Sequence, residues 1–193
     1  MSVAVDGVGP VVLGFAAGHT DRAELEHVLA DVVQRYGPVV LACTHIVDGR
    51  WAGLVQLTGP APDPAGLANE LGVAFAVSRS SSGAVGDHAW RSGAEQAADR
   101  MRTRTEGRAV VFPGQDRLVG EVAVDDVPGL SAIDAVVGIA GTPTAGATLV
   151  TREFVRPVLL GGRLVLEVRP IGADGAVAPF EVPNPTPCCA NHG

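Results

Sequence analysis

Lysine is absent from this chain: its 14 basic residues are all arginine. Together with an excess of Ala, Gly and Val, this bias reflects a GC-rich coding sequence more than a chemistry. Positive charge is also in deficit. The 21 acidic residues outnumber the basic ones to give a net charge of -7, which argues against a general nucleic-acid binder, since those present a basic surface. Aromatics make up only 4% of the chain. No apolar run approaches the roughly 20 residues needed to span a bilayer, so no membrane span is expected. The opening M-S-V-A-V-D-G-V-G-P has neither a basic region nor a long apolar core, and we expect a cytoplasmic protein with reduced thiols. G-x-S-x-G, H-E-x-x-H and Walker-type loops are missing, so no nucleotide cofactor is indicated.

What is present suits a folded body. Hydrophobic residues form 47% of 193 residues, enough for one large domain or two small ones. The periodicity predicts a strand from Pro10 to Phe15. A helix follows, capped by Asp21 and Glu24, with Leu25, Val28, Leu29, Val32, Val33 and Tyr36 inward and stopped at Gly37 and Pro38. On its outer face Arg22 with Glu26, and Asp31 with Arg35, are spaced to pair. Val39 to Val47 and Trp51 to Thr58 read as strands joined by an Asp48-Gly49 hairpin turn. Asp63 and Pro64 start a short helix ending near Leu71, and Val73 to Val77 is a further strand. The order β-α-β-β-α-β is the split pattern of a ferredoxin-like sandwich, with two helices on one face of an antiparallel sheet.

The same order of elements reads again from Asp87. A helix there carries Trp90, Ala94, Ala97, Ala98 and Met101 on its inner face, with Arg100, Arg102 and Arg104 in its last turns as the helix dipole favours. Strands are expected at Arg108 to Phe112, Leu118 to Val124, Thr148 to Arg156 and Leu164 to Val168, with a helix from Ser131 to Ile139. The expected fold is therefore α+β, with two ferredoxin-like halves of a βαββαβ type that read as a loose duplication. The boundaries are residues 1–78 for the first half, 79–86 for a Ser/Gly-rich linker, 87–170 for the second half and 171–193 for an extended, Pro-rich tail.

The tail holds the strongest chemical signal. Cys188, Cys189 and His192 share one short helical turn that starts at Thr186 and Pro187, so either thiol can face the imidazole. Cys43 and His45 are two apart on a predicted strand and so point to one face; core packing is the competing role for both. If the tail folds back on that strand, thiolate and imidazole ligands converge as Zn(II) and Cu(I) require. The leading expectation is a small metal-binding protein with Cys188, Cys189, His192, Cys43 and His45 as ligands. A thiol-dependent enzyme or redox protein with a tail cysteine as nucleophile is the first alternative. The second is a small-molecule-binding or dimerisation module, which would form a homodimer through a sheet face or edge and in which the tail is incidental. His19, His27 and His88 are expected at the surface or in caps, and Asp125 and Asp126 in a solvated turn.

Overall fold

The computed structural model describes residues 11–36, 39–58, 63–77, 83–172 and 175–183. Across them the protein is mixed α and β, with extensive sheet and four α-helices, none of them long and apolar enough to cross a membrane. The chain divides into two compact units, Met1–Phe112 with Leu159–Gly162, and Pro113–Val158 with Arg163–Gly193.

Unit 1 begins β1 (Val11–His19), α1 (Arg22–Tyr36), β2 (Val39–Val47), β3 (Arg50–Leu57), α2 (Pro64–Leu71) and β4 (Ala74–Val77). It continues with α3 (Arg91–Thr103) and β5 (Arg108–Val111). The strand order is β4-β1-β3-β2-β5, and every pairing within that series is antiparallel. Local chemistry accounts for the connections. Asp48 and Gly49 adopt φ of 49° and 74°, the paired left-handed residues of a type I′ turn, which matches the twist of β2 and β3. Asp63 caps α2, its carboxylate accepting from the amides of Ala65 and Gly66 at 3.1 Å each. Pro64 opens that helix, as the sequence predicts, and Gly72 closes it at φ 66°. Asp21 accepts from the amide of Ala23 at 2.8 Å to begin α1.

The amphipathic stripe of α1 seats Leu25, Leu29 and Val32 against Leu13, Phe15, Ala42, Val55 and Leu57 of the sheet, with Leu67 and Phe75 completing the cluster. Phe15 and Phe75 tilt against each other at a centroid distance of 5.4 Å, a favourable aromatic geometry. Arg22 pairs with Glu26 at 3.4 Å, as the four-residue spacing predicts. Arg35 instead reaches across to Glu70 of α2, because a tertiary partner at the right distance outcompetes a weak local one.

The opposite face of this sheet is not open. It carries α3, whose buried Ala94, Ala97, Ala98 and Met101 lie over β1, β3 and β4. Such close approach depends on Gly14: a Cβ there would stand 2.1 Å from the Ala94 carbonyl oxygen and 2.5 Å from the Ala98 amide nitrogen. The helix expected to begin a second half thus belongs to the first. Residues 159–162 also return to unit 1, where the Leu159 amide donates to the Gly107 carbonyl at 2.7 Å.

Unit 2 contains β6 (Glu121–Ala123), α4 (Val127–Leu130), β7 (Ala135–Gly138), β8 (Thr148–Val150), β10 (Arg163–Ile171) and β11 (Ala176–Pro179), with β9 (Val158–Leu160) where the chain passes from one unit to the other. Its sheet mixes directions: β7 runs parallel to β10 and β8 to β11, while β10 with β11 and β6 with β8 are antiparallel. The α-β-β-α-β series expected from Asp87 is therefore shared out, with α3 and β5 in unit 1 and the rest in unit 2.

Three expectations change here for physical reasons. Ser131 to Ile139 is not a helix. The Ser131 hydroxyl donates back to the Val127 carbonyl at 2.9 Å and accepts from the Ile133 amide at 3.2 Å, ending α4. Asp134 then accepts from the Leu164 amide at 2.6 Å and sets the β-branched Val136 and Val137 alongside β10, where pleated packing suits them. The strand expected from Thr148 stops at Val150, since Arg152 and Glu153 turn with φ of 53° and 55°. The stretch expected as irregular tail is partly sheet: β10 continues to Ile171 and β11 pairs with it through Val168–Pro179. Along β10, Leu164, Leu166 and Val168 are buried and Glu167 is exposed, in the predicted alternation, although Val165 is buried too.

Candidate functional site

Cys43 and His45 lie on β2 and do point to one face, opposite Leu54 and Ala52 of β3. That face is the one α3 covers. Cys43 is fully buried, and Gly107 sits so close that a Cβ on it would be 3.2 Å from the Cβ of Cys43. Burial pushes its thiol far up, against a smaller opposing pull from the Arg104 and Arg108 guanidinium groups. A neutral thiol in that position behaves as a small hydrophobe, not as a nucleophile.

His45 is 3% exposed. Burial, and then the neighbouring Arg100, push its pKa down to about 4. Its Nδ1 lies 3.5 Å from Arg100 Nη1, while its Nε2 is buried without a hydrogen-bond partner among the described residues. Arg100 in turn donates to the Ile46 carbonyl at 3.2 Å and pairs with Glu106. The imidazole is therefore uncharged near neutrality, with a guanidinium beside one nitrogen and an unspent lone pair or proton on the other. Among the described residues no group of three or more His, Cys, Asp and Glu is placed to hold a metal ion. Cys188, Cys189 and His192 lie outside the described residues.

Most of the remaining sequence candidates occupy the structural roles assigned to them. His27 and His88 are exposed. His19, expected at the surface or in a cap, instead ends β1 with its side chain only 16% exposed, 3.6 Å from the Glu24 carboxylate. Asp87 accepts from the Ala89 amide at 2.9 Å to cap the short turn before α3, and Asp125 accepts from the Gly146 amide at 3.3 Å.

A cleft that the sequence did not signal opens at one end of the unit 1 sheet. It encloses about 250 Å³ and is lined by Ala16, Gly18, Asp48, Arg50, Trp51 and Trp90 among others, with Ser92 and Gly93 of α3 closing one side. Three local features build it. Strand β1 shifts register against β3 between Ala16 and His19, a bulge that bends the strand away from its neighbour. Gly18, inside the bulge, takes φ 71°, and a Cβ there would be 2.3 Å from two atoms of the Trp90 ring. The indole thus lies directly on backbone. The Asp48–Gly49 turn brings Asp48, Arg50 and Trp51 to the opposite rim. Arg91 fixes the junction carrying Trp90, its Nε and Nη2 both donating to the Gly86 carbonyl at 3.0 and 2.9 Å.

By its spacing Trp90 belongs on the inner face of α3. In the structure it is the residue that caps the helix start, without any side-chain capping bond, and it is half-buried. The sequence carried one usable hint: the chain has only two tryptophans, each placed beside a turn or helix-start signal.

No protein-family model, no curated protein and no solved structure matches this chain.

Proposed function

We propose that unit 1 is a small-molecule-binding module on a ferredoxin-like βαββαβ frame, elaborated by α3 on its second face, and that the cleft between Trp51 and Trp90 is its binding site. The observation that carries this reading is that both tryptophans of a chain poor in aromatics line one concave site together with a few polar groups, which is the usual make-up of a ligand pocket. Its volume, about 250 Å³, suits a ligand of a single small ring system. The sequence order β-α-β-β-α-β and the strand order β4-β1-β3-β2 support the frame.

The test is a fragment screen on the full chain labelled with ¹⁵N at its indoles, which yields one signal per tryptophan. At least one fragment is expected to shift both signals saturably, with Trp90→Ala weakening that fragment about tenfold. A library of several hundred fragments that leaves both indoles unmoved would remove the proposal.

A second reading rests on the unpartnered Nε2 of His45 beside Cys43. It is that Cys43 and His45, with Cys188, Cys189 and His192, hold Zn(II) or Cu(I). Protein purified without chelator is then expected to carry about one equivalent of metal by mass spectrometry, lost in the Cys188→Ser, Cys189→Ser double variant. Metal below about a tenth of an equivalent, unchanged by that substitution, would leave His45 and Cys43 as core residues.

A further inference from the structure

Building on the small-molecule reading, we infer that the cleft selects a flat heteroaromatic ring carrying both hydrogen-bond donors and acceptors on its edge, and excludes organic cations and saturated rings of the same size. Both indoles line the cleft, and aromatic surfaces reward a flat π-system over a puckered ring because stacking adds to plain burial. Trp90 is held for that role, since Gly18 lets its ring rest on the backbone of the β1 bulge and the double Arg91–Gly86 contact locks the segment before α3. A ring pre-set in one orientation loses little entropy when a ligand stacks on it.

Charge decides between the two ligand classes that paired tryptophans accept. Indole cages also recognise quaternary ammonium ions, through the negative faces of their rings. Here the rim carries Arg50 as well as Asp48. The wall beside them is the first turn of α3, with Ser92 and Gly93, which follows directly on the turn capped by Asp87. One carboxylate balanced by one guanidinium leaves no net attraction for a cation. The same groups serve a neutral heteroaromatic edge well: Asp48 accepts from a ring N–H or amino group, while Arg50 and the Ser92 hydroxyl donate to ring nitrogens or carbonyls.

The experiment titrates the full chain with adenine, benzimidazole and indazole as flat probes, and with cyclohexanol and choline as saturated and cationic ones, following the two ¹⁵N-indole signals. We expect saturable shifts of both indoles with at least one flat probe. Trp90→Ala should weaken that probe about tenfold, whereas Trp90→Phe, which keeps a flat ring and guards against a folding artefact, should hold it within about threefold. Arg50→Gln should weaken a probe with acceptor nitrogens and, by removing the charge that opposes Asp48, tighten choline. Choline or cyclohexanol binding as tightly as the best flat probe would overturn the inference, as would a flat probe indifferent to Trp90→Ala. Silence from all the flat probes also overturns it. In that case a hit elsewhere in the fragment screen keeps the small-molecule reading, and an empty screen removes both.

Discussion

Replacing Gly14 with alanine should destabilise unit 1 by about 3 kcal/mol, at the upper end of what overpacking costs. The new methyl would stand 2.1 Å from the Ala94 carbonyl oxygen and 2.5 Å from the Ala98 amide nitrogen. Both are backbone atoms of α3, so no rotamer change can relieve the clash. Either the helix lifts from the sheet, opening the contacts of Ala94, Ala97 and Ala98, or the strand bends. Gly72→Ala is the matched control, for it sits at φ 66° and a methyl added there would meet nothing within 4 Å. It should cost only the left-handed strain of about 1–2 kcal/mol. Urea unfolding followed by tryptophan fluorescence reads unit 1 specifically, because Trp51 and Trp90 both belong to it. Equal midpoint shifts for the two variants would mean that α3 does not rest on β1 as closely as described.

The second large effect is on acid stability. His45 titrates in the folded protein near 4, below the ordinary value of 6.5, because burial and then Arg100 disfavour its cation. The unfolded chain takes up that proton at about pH 6.5 and the folded one does not until about pH 4. The stabilisation is therefore complete above pH 6.5 and lost as pH falls through that window, by about 3 kcal/mol in all. Charged groups around it sharpen the expectation. Arg100 lies 3.5 Å from its Nδ1 and is itself paired with Glu106. His45→Gln removes the titration whatever its own baseline cost. Between pH 7 and pH 4 the wild-type chain should lose about 3 kcal/mol more than the variant does, measured as the difference in urea midpoints multiplied by the slope. Parallel pH profiles for the two proteins would show that His45 is not held neutral by its surroundings.

Short-range signals in the sequence translated well into structure. Asp48-Gly49 and Asp63-Pro64 each specify a backbone conformation that few other residues tolerate, and each appears where expected. The stripe Leu25, Leu29 and Val32 could only be satisfied by burying one helical face. Ala94, Ala97, Ala98 and Met101 were legible in the same way as the inner side of a helix. What that side would rest on was not legible. A string of alanines declares a close contact without naming the partner, and Gly14, which permits it, sits far earlier in the chain, in a strand where a lone glycine reads as a weakness.

Ambiguity was greatest where propensity and pattern disagreed. Ile133, Val136 and Val137 fit either a helical face or a pleated strand, and long-range bonds between Asp134 and the Arg163–Leu164 end of β10 tip the balance to strand. The candidate site follows the same logic. Cys43 and His45 were readable as neighbours on one face, but their burial under α3 and the resulting neutral forms depend on a helix distant in the sequence. The cleft is further from view, since it exists only because a bulge, a turn and a helix start meet at one end of a sheet.

The amino-acid sequence by itself determined the local conformations of this protein: its tight turn, its helix caps and the apolar faces that had to be covered. These are decided within a few residues by sterics and nearby hydrogen bonds. Tertiary structure decided which surfaces met. It set α3 on the second face of the first sheet, divided the second series of elements between two units, and gathered both tryptophans around one cleft. Such outcomes depend on long-range packing, in which complementary volumes and single distant hydrogen bonds choose among arrangements that local preference leaves nearly equal.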